Sequence, residues 1–335
     1  GTEFVGLAGS NPTINVVGYT LGGGHSSLGR AFGLAAHSLL AAEMVTADGS
    51  LVRIDEAGSD AELLWALKGG GGQFRLHPAP AGGLLYGGKL TFPAAVATPV
   101  LRAVVDVAAS APELVTISAV MLVLPDLPMV PEPLRGQQII TVDIVSMLPP
   151  EATEALIERI RSAGPVVDDT VDEFTIGALP EVFAEPVDPM PALEWSGLIG
   201  TLDHAVVAAL VEAWVAGAVA GLSLLQVRPL GGALGRAVNA PAIAGVAGVP
   251  HGDALVGASG FVFDPAMAPS VASAIEKVRD AAAPHTTHGR VVTFLAPGED
   301  LGAAYAHADI ARLRAVKQRI DPDGLIRSNR PLPAE

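Results

Sequence analysis

Between Gly18 and Gly49 the chain reads GYTLGGGHSSLGRAFGLAAHSLLAAEMVTADG. No other stretch so narrows what the chain can fold into. Gly22, Gly23 and Gly24 stand in a row beside His25, ahead of Arg30 and an apolar run that ends in a polar turn. Glycine lacks a Cβ, accepts positive φ, and lets backbone come close to a large ligand with its N–H turned toward phosphate oxygens or a planar ring. A flexible surface loop is the plain alternative for any glycine triplet, so its neighbours must decide.

Those neighbours form a pattern. Upstream lies Asn11-Pro12-Thr13-Ile14-Asn15, and downstream come Gly33-Leu34-Ala35-Ala36 and Met44-Val45-Thr46-Ala47-Asp48-Gly49. A second block is ELLWALKGGGGQF, Glu62 to Phe74. A third is YAHADIARLRAVKQRIDPDGLIRSNRPLP, Tyr305 to Pro333. In this order the three resemble the berberine-bridge-enzyme-like branch of the vanillyl-alcohol-oxidase / p-cresol-methylhydroxylase flavoproteins, with the middle of the chain matching loosely. The resemblance implies an α+β fold: part of a PCMH-type FAD-binding domain over residues 1–92, a substrate domain over 93–290 whose antiparallel sheet is covered by helices, and a segment, 291–335, returning to the FAD domain. It implies FAD as cofactor and assigns to its site Asn11, Pro12, Thr13, Val16, Gly18, Tyr19, Gly22, Gly23, Gly24, His25 and Val45.

The departures carry as much weight. Family members begin with a further subdomain, holding a Gly-Gly-His loop that grips the pyrophosphate, which this chain is expected to lack. Gly1-Thr2-Glu3-Phe4 reads as a translated vector linker. Doubly linked members carry cysteine where Asn11 stands. With no cysteine anywhere, a thioether to flavin is chemically excluded. Phe74 runs directly into Arg75-Leu76-His77-Pro78, where the family has a strand; either that strand is deleted or residues are missing there, and the second is expected. FAD is accordingly expected to bind poorly or not at all.

Composition closes off other classes. Half of the 335 residues are hydrophobic and 16% are charged, which is a chain able to bury a core. A net charge of −15 opposes nucleic acid and anionic membrane surfaces. The run Ala205 to Val227 is apolar over a membrane-spanning length except for Glu212. However, Gly217 and Gly221 interrupt it, and it reads better as a buried Ala-rich helix, a Gly turn and a core strand. His285-Thr286-Thr287-His288 has no helix to bring both rings to one face, so no metal is expected. Hydrolase and P-loop motifs are absent from the sequence.

Periodicity supplies the elements. Short strands and Gly turns are expected before Phe92, with Leu51 to Ile54 a strand and Ala61 to Lys68 a helix entered through Ser59-Asp60. Then come a strand at KLTFP, a helix from Ala94 to Ala109, strands at LVTISAVMLVLP and GQQIITVDIVSML, and a helix from Glu151 to Ala163. A closing helix spans Asp309 to Ile320, ended by Asp321-Pro322.

The candidate chemistry leaves alternatives open. His25 is placed to bond flavin or substrate, or is an exposed loop histidine. Arg30 offsets phosphate charge or makes a surface salt bridge. Tyr19 lies against the isoalloxazine or is core. By resemblance Val16 sits near flavin C4a, where a small aliphatic permits oxygen access; otherwise it packs within a strand. Arg228, in RPLGGALGR, binds an anionic or hydroxylated substrate or pairs with a buried carboxylate. The family's base is a tyrosine in a strand that here reads VVTFLAPGED, without tyrosine. Tyr305 is the substitute, although a phenol needs a partner that lowers its pKa. The resemblance thus implies an oxidoreductase acting on an alcohol or amine carbon of a sugar or secondary metabolite, with hydride passing to flavin N5 and then to oxygen. A flavin-free ligand-binding module on the same fold is the alternative.

Overall fold

A computed structural model describes residues 4–55, 58, 60–70, 79–80, 84–126, 130, 132–185, 187–188, 190–235, 245–248 and 250–334. The Gly71-to-Pro78 junction therefore lies outside the described residues, as does Ser59. The chain forms two compact units, one of residues 1–82, 232–251 and 288–335 and the other of 83–231 and 252–287.

The first unit is built on short elements. Strand β1 (Phe4–Val5) pairs with β4 (Ala79–Pro80), and β2 (Ala41–Val45) with β3 (Leu51–Asp55), each antiparallel. The β2–β3 turn is set by Asp48, whose Oδ1 accepts from the Thr46 hydroxyl at 2.6 Å and the Ser50 N–H at 3.0 Å. Helices are α1 (Val16–Leu21), α2 (Gly29–Phe32), α3 (Ala61–Leu67) and a closing helix, His307–Ile320. Asp60 caps α3 by accepting from the Leu63 N–H at 2.9 Å. The same carboxylate takes two bonds from Arg319 at 2.6 and 2.9 Å, and Glu62 takes two from Arg312 at 2.8 and 2.6 Å. The Arg312 guanidinium also lies 3.7 Å over the Trp65 ring. The second and third sequence blocks therefore meet through charge and stacking, above a core of Leu63, Leu64, Leu67, Ile310, Leu313 and Val316.

Two expectations fail here. VVTFLAPGED is no strand: Val292–Phe294 form a 3-10 turn. Side chains satisfy the backbone that a ladder would have used. Arg330 donates to the Leu295 and Ala296 carbonyls, and Glu299 accepts from the Ala296 N–H at 2.7 Å. The segment carrying Val16 is a helix, because Asn15 caps it by accepting from the Val17 and Gly18 N–H groups at 2.9 and 3.1 Å.

The second unit is one antiparallel sheet covered by helices. Its strands are β5 (Leu85–Pro93), β6 (Val115–Val123), β7 (Gln138–Ser146), β8 (Asp168–Asp169), β9 (Asp172–Phe174), β10 (Ala192–Ile199), β11 (Leu224–Pro229) and β12 (Ala254–Phe261). They lie in the order β10-β12-β11-β6-β7-β5-β8, with β9 also on β5. Alternation sorts each strand's residues between two faces. Leu90, Ile117, Ala119, Val142, Ile144, Leu225, Val227 and Val256 pack into one core with helices α4 (Ala97–Ser110), α5 (Pro150–Arg161), α7 (His204–Ala218) and α8 (Ala268–Ala282). A short α6 (Leu179–Phe183) follows β9. The apolar run is a helix, a turn at Gly221 with φ 104°, and β11, as its composition predicts. Asp203 caps α7 through the Ala205 and Val206 N–H groups, both at 2.9 Å. Among the described residues no helix is long and apolar enough to cross a membrane.

Candidate functional site

In the first unit the expected cofactor residues other than Val45 fall between Asn11 and His25. Asn11 makes a local turn, its Oδ1 accepting from the Thr13 N–H at 2.9 Å and hydroxyl at 2.6 Å. Pro12, Thr13, Val16 and Gly18 are exposed, and burial begins at Thr20. Gly22 and Gly23 terminate α1. The Gly22 N–H donates to the Gly18 and Tyr19 carbonyls at 3.1 and 3.2 Å, and the Gly23 N–H to Thr20 at 2.9 Å. These two amides are thus spent on the helix end and are not held out for a phosphate.

What the triplet gains from glycine is closeness. At Gly24 φ is 73°, and a Cβ there would meet the Ala35 methyl at 2.6 Å and the Tyr19 ring at 2.8 Å. The Gly24 and Gly23 carbonyls accept from Ala35 and Ala36, each at 2.9 Å, which clamps the triplet to the Gly-Leu-Ala-Ala segment. The Tyr19 ring also closes on Gly9, where a Cβ would lie 3.2 Å away. His25 is buried edge-on to Phe294, with ring centroids 6.0 Å apart at 85°. It is not an exposed loop histidine. Arg30 is likewise buried, which removes the surface salt bridge. Val45 ends β2 with its side chain 59% exposed.

Sequence reasoning missed three hydroxyls in this unit. Thr20 Oγ1, Ser27 Oγ and Thr293 Oγ1 are buried and make no hydrogen bond to any described residue. Each such group costs free energy unless something polar satisfies it. The Thr293 side chain lies within 3.1 Å of a Cβ built on Gly22, so this hydroxyl belongs to the triplet's surroundings. Small neutral hydroxyls are chemically able to bond the carbonyl and ring-nitrogen edge of a flavin, and that is the fit these residues offer.

Tyr305 is the clearest departure from its expected role. Its hydroxyl donates to the Gly69 carbonyl at 2.8 Å. Burial, and secondarily the Asp309 charge, push its pKa further above the usual phenol value. A phenol whose proton is already committed to a carbonyl, and which holds that proton more tightly than usual, is a poor base.

In the second unit the polar residues gather on the sheet face turned away from the core. Lys89 on β5 stands opposite Asp143 on β7, with Nζ 2.8 Å from Oδ1. Asp143 is fully buried; burial raises its carboxyl above the ordinary range, and Lys89 opposes that rise. Ser118 on β6 faces Asp143 in register. One strand further, Arg228 on β11 donates from Nε to Gln226 Oε1 at 2.8 Å, and its Nη2 lies 3.7 Å from Glu185 Oε1. Arg228 and Glu185 are close enough to act electrostatically on Asp143, so the four charges form one cluster. The sequence held a signal for part of it. A lone Asp in QIITVDIVS and a Lys in LYGGKLTFP each interrupt an apolar strand. Elsewhere in this unit Tyr86 donates to Glu154 at 2.6 Å, a bond that raises its phenol to about 12, and Glu154 and Asp169 both pair with Arg161.

No protein-family profile matches the chain. Among curated proteins it is 37% identical over 86 residues to an uncharacterized FAD-linked oxidoreductase, YvdP, of Bacillus subtilis, covering 23% of this chain and 19% of that protein. It is 41% identical over 68 residues to glucooligosaccharide oxidase of Sarocladium strictum, covering 20% and 13%. The matched stretches thus span less than a fifth of these relatives. Among solved structures, Physcomitrella patens BBE-like 1 superposes with a TM-score of 0.80 at 16% identity, covering 99% of this chain and 73% of that one. A chitooligosaccharide oxidase gives 0.78 at 17%, covering 99% and 74%. A local sequence match to FAD-linked oxidoreductases and a fold shared over nearly the whole chain agree: the resemblance to the berberine-bridge-enzyme-like flavoproteins holds.

Proposed function

We propose that this chain belongs to a flavin-dependent oxidoreductase in which the first unit contributes to holding FAD and the second carries the substrate. The observation that supports this most is the set of buried hydroxyls, Thr20, Ser27 and Thr293, left unsatisfied around a glycine triplet whose sequence surroundings resemble FAD-linked oxidoreductases. In this reading Asn11, Pro12, Thr13, Val16, Gly18 and Tyr19 line the ligand along the exposed part of the stretch. Gly22 to Gly24 keep Tyr19 and His25 in place, and the hydroxyls complete the polar contacts. Val45 contributes main chain, since its side chain points to solvent. The small, exposed Val16 leaves room for oxygen.

Bound FAD supplies the two-electron chemistry that oxidises an alcohol or amine carbon, with molecular oxygen as the acceptor. Everything else falls to the protein. Tyr305 positions the Gly69 turn through its hydrogen bond and does not remove a proton. The proposed substrate is a small molecule with a hydroxyl or amine, of the kind named in the sugar oxidases this chain is similar to. The cofactor is non-cysteinylated, for want of any cysteine.

One observation favours a flavin-free binding module on the same fold. The amides of Gly22 and Gly23 are already used inside the unit. Titrating the purified chain with FAD, followed by flavin absorbance and fluorescence, decides between the two. A weak but saturable spectral change, abolished by Gly24→Val, supports the flavin reading. Unperturbed spectra at the highest FAD concentration favour the flavin-free one.

A further inference from the structure

We propose that His37 is a positioning residue for the glycine triplet and works as a proton-operated latch. While neutral, its ring holds the Gly-Leu-Ala-Ala segment, residues 33–36, against Gly23 and Gly24; once protonated, it lets that segment go. The consequence for a ligand rests on the first unit being the one that holds FAD, whereas the latch itself is a property of the chain alone.

The latch is a closed loop of contacts. The Ala35 and Ala36 N–H groups donate to the Gly24 and Gly23 carbonyls, each at 2.9 Å. The His37 side chain turns back over that same segment. Its Nδ1 accepts from the Leu34 N–H at 3.3 Å, and its Nε2 donates to the Gly248 carbonyl at 2.9 Å. Residues 246–247 are in turn fastened to α3 and the residue that ends it. The Val246 N–H donates to the Trp65 carbonyl at 3.1 Å, and the Ala247 N–H to the Lys68 carbonyl at 2.8 Å. The loop closes at the Ala247 methyl, 3.6 Å from a Cβ built on Gly23. Gly33 permits the turn back: its φ is 84°, and a Cβ there would sit 2.7 Å from His37 Nδ1.

The two ring nitrogens answer a proton in opposite ways. Nε2 already carries a hydrogen, so a charged ring strengthens its bond to Gly248. Nδ1 is an acceptor only while it is neutral. Protonated, it turns an N–H toward the Leu34 N–H, and two donors face one another with no acceptor between them. The ring also gains a positive charge, which the fully buried Lys68 opposes. On α3, Asp60 and Glu62 are paired with Arg319 and Arg312. Arg30 on α2 and His251 beyond Gly248 bring no negative charge to offset the new one.

The weak side of the latch is therefore the Leu34 side. Acid frees the Gly-Leu-Ala-Ala segment and leaves residues 246–248 where they are. His37 is half-buried, so a proton reaches it without global unfolding. Burial, foremost, already holds the closed imidazole below its ordinary value of 6.5. The released segment thus binds the proton more readily than the closed one. The latch is shut above about pH 7.5 and opens as pH falls through 6.5 toward the lower closed value.

Residue-resolved amide exchange of the full chain without flavin, at pH 7.5 and 5.5, tests this, each rate being referred to its intrinsic rate at that pH. Protection at Ala35 and Ala36 should fall several-fold, toward the limit of about tenfold per pH unit that one linked proton allows. Val246 and Ala247 should keep theirs. His37→Gln, whose amide offers a donor and an acceptor that do not titrate, should hold Ala35 and Ala36 equally protected at both pH values. Nitrogen NMR of the wild-type ring gives a second reading that needs no variant: the Nε2–H tautomer at pH 7.5, with Nδ1 titrating in step with the lost protection. The proposal is overturned by no loss in the wild type, by equal loss in His37→Gln, by loss that extends to Val246 and Ala247, or by an Nδ1–H tautomer at pH 7.5. FAD affinity should weaken over the same interval in the wild type and not in His37→Gln; pH-independent binding to an opened latch overturns the positioning role. Failure of FAD to bind at either pH, alongside the expected exchange, sinks the flavin reading and leaves the latch standing.

Discussion

The two units build their candidate sites from opposite materials. In the first, selectivity lies in backbone and small groups: a glycine triplet packed onto Ala35, Ala36 and Tyr19, with buried hydroxyls around it and no ion pair within the triplet. In the second it lies in charged side chains: Lys89 against Asp143, fixed by strand register, and Arg228 on β11 beside Glu185, which follows α6. Close packing suits a large flat ligand that must be gripped along its faces. A charge cluster suits a small polar one that must be told from its neighbours. The same contrast makes the units fail in different ways when altered.

The largest expected effect is in the second unit. Lys89→Met leaves Asp143 buried without its cation and should cost about 3–5 kcal/mol, whereas Lys89→Met with Asp143→Leu should recover much of the loss. Denaturant unfolding of both variants measures it, and equal losses in the two would show the pair to be unimportant. In the first unit the sharpest probe is Gly24→Ala. Positive φ and a 2.6 Å clash with Ala35 should together cost about 3 kcal/mol, without any change in charge. If salt altered that cost, packing would not be its cause.

A smaller effect runs the other way. Ala184→Gly removes the left-handed strain and should stabilise the second unit by about 1 kcal/mol, read as a rise in the unfolding midpoint.

The mildest effect is on pH. His37 Nδ1 accepts from the Leu34 N–H at 3.3 Å, so the proton sits on Nε2, which donates to the Gly248 carbonyl at 2.9 Å. Burial, and to a lesser extent Lys68, hold this imidazole below its ordinary value of 6.5, while the Gly248 bond partly opposes the shift. The unfolded chain therefore binds the proton more readily. Stability is full above about pH 7.5 and falls as pH drops through 6.5 toward the lower folded value. His37→Gln should flatten the dependence of the urea midpoint between pH 7.5 and 5.5; an unchanged slope contradicts the assignment.

The second unit was far more legible in the sequence than the first. Its strands are nine-residue runs such as VTISAVMLV and QIITVDIVS, rich in β-branched and apolar residues and long enough to be read directly as strands. Elements of the first unit are short and decided by single side chains. Val16, Val17 and Thr20 are β-branched and argue for a strand, yet the Asn15 cap makes a helix. Val291 to Phe294 argue for a strand as well, and Arg330 and Glu299, from outside that run, satisfy the turn instead. Local propensity is a weak prior when contacts distant in sequence satisfy the backbone. The site followed the same division. The triplet was conspicuous, but its use of its own amides was not. Asp143 and Lys89 were visible as interruptions, but their pairing needed register. Glu185 had no signal at all, since nothing local distinguishes it from any loop glutamate.

Amide hydrogen exchange of the full chain with and without saturating FAD tests the division of labour most directly. The account predicts added protection within residues 11–25 and 292–294, with the strands bearing Lys89, Asp143 and Arg228 exchanging as before. Protection confined to those strands, or no change anywhere, would contradict it.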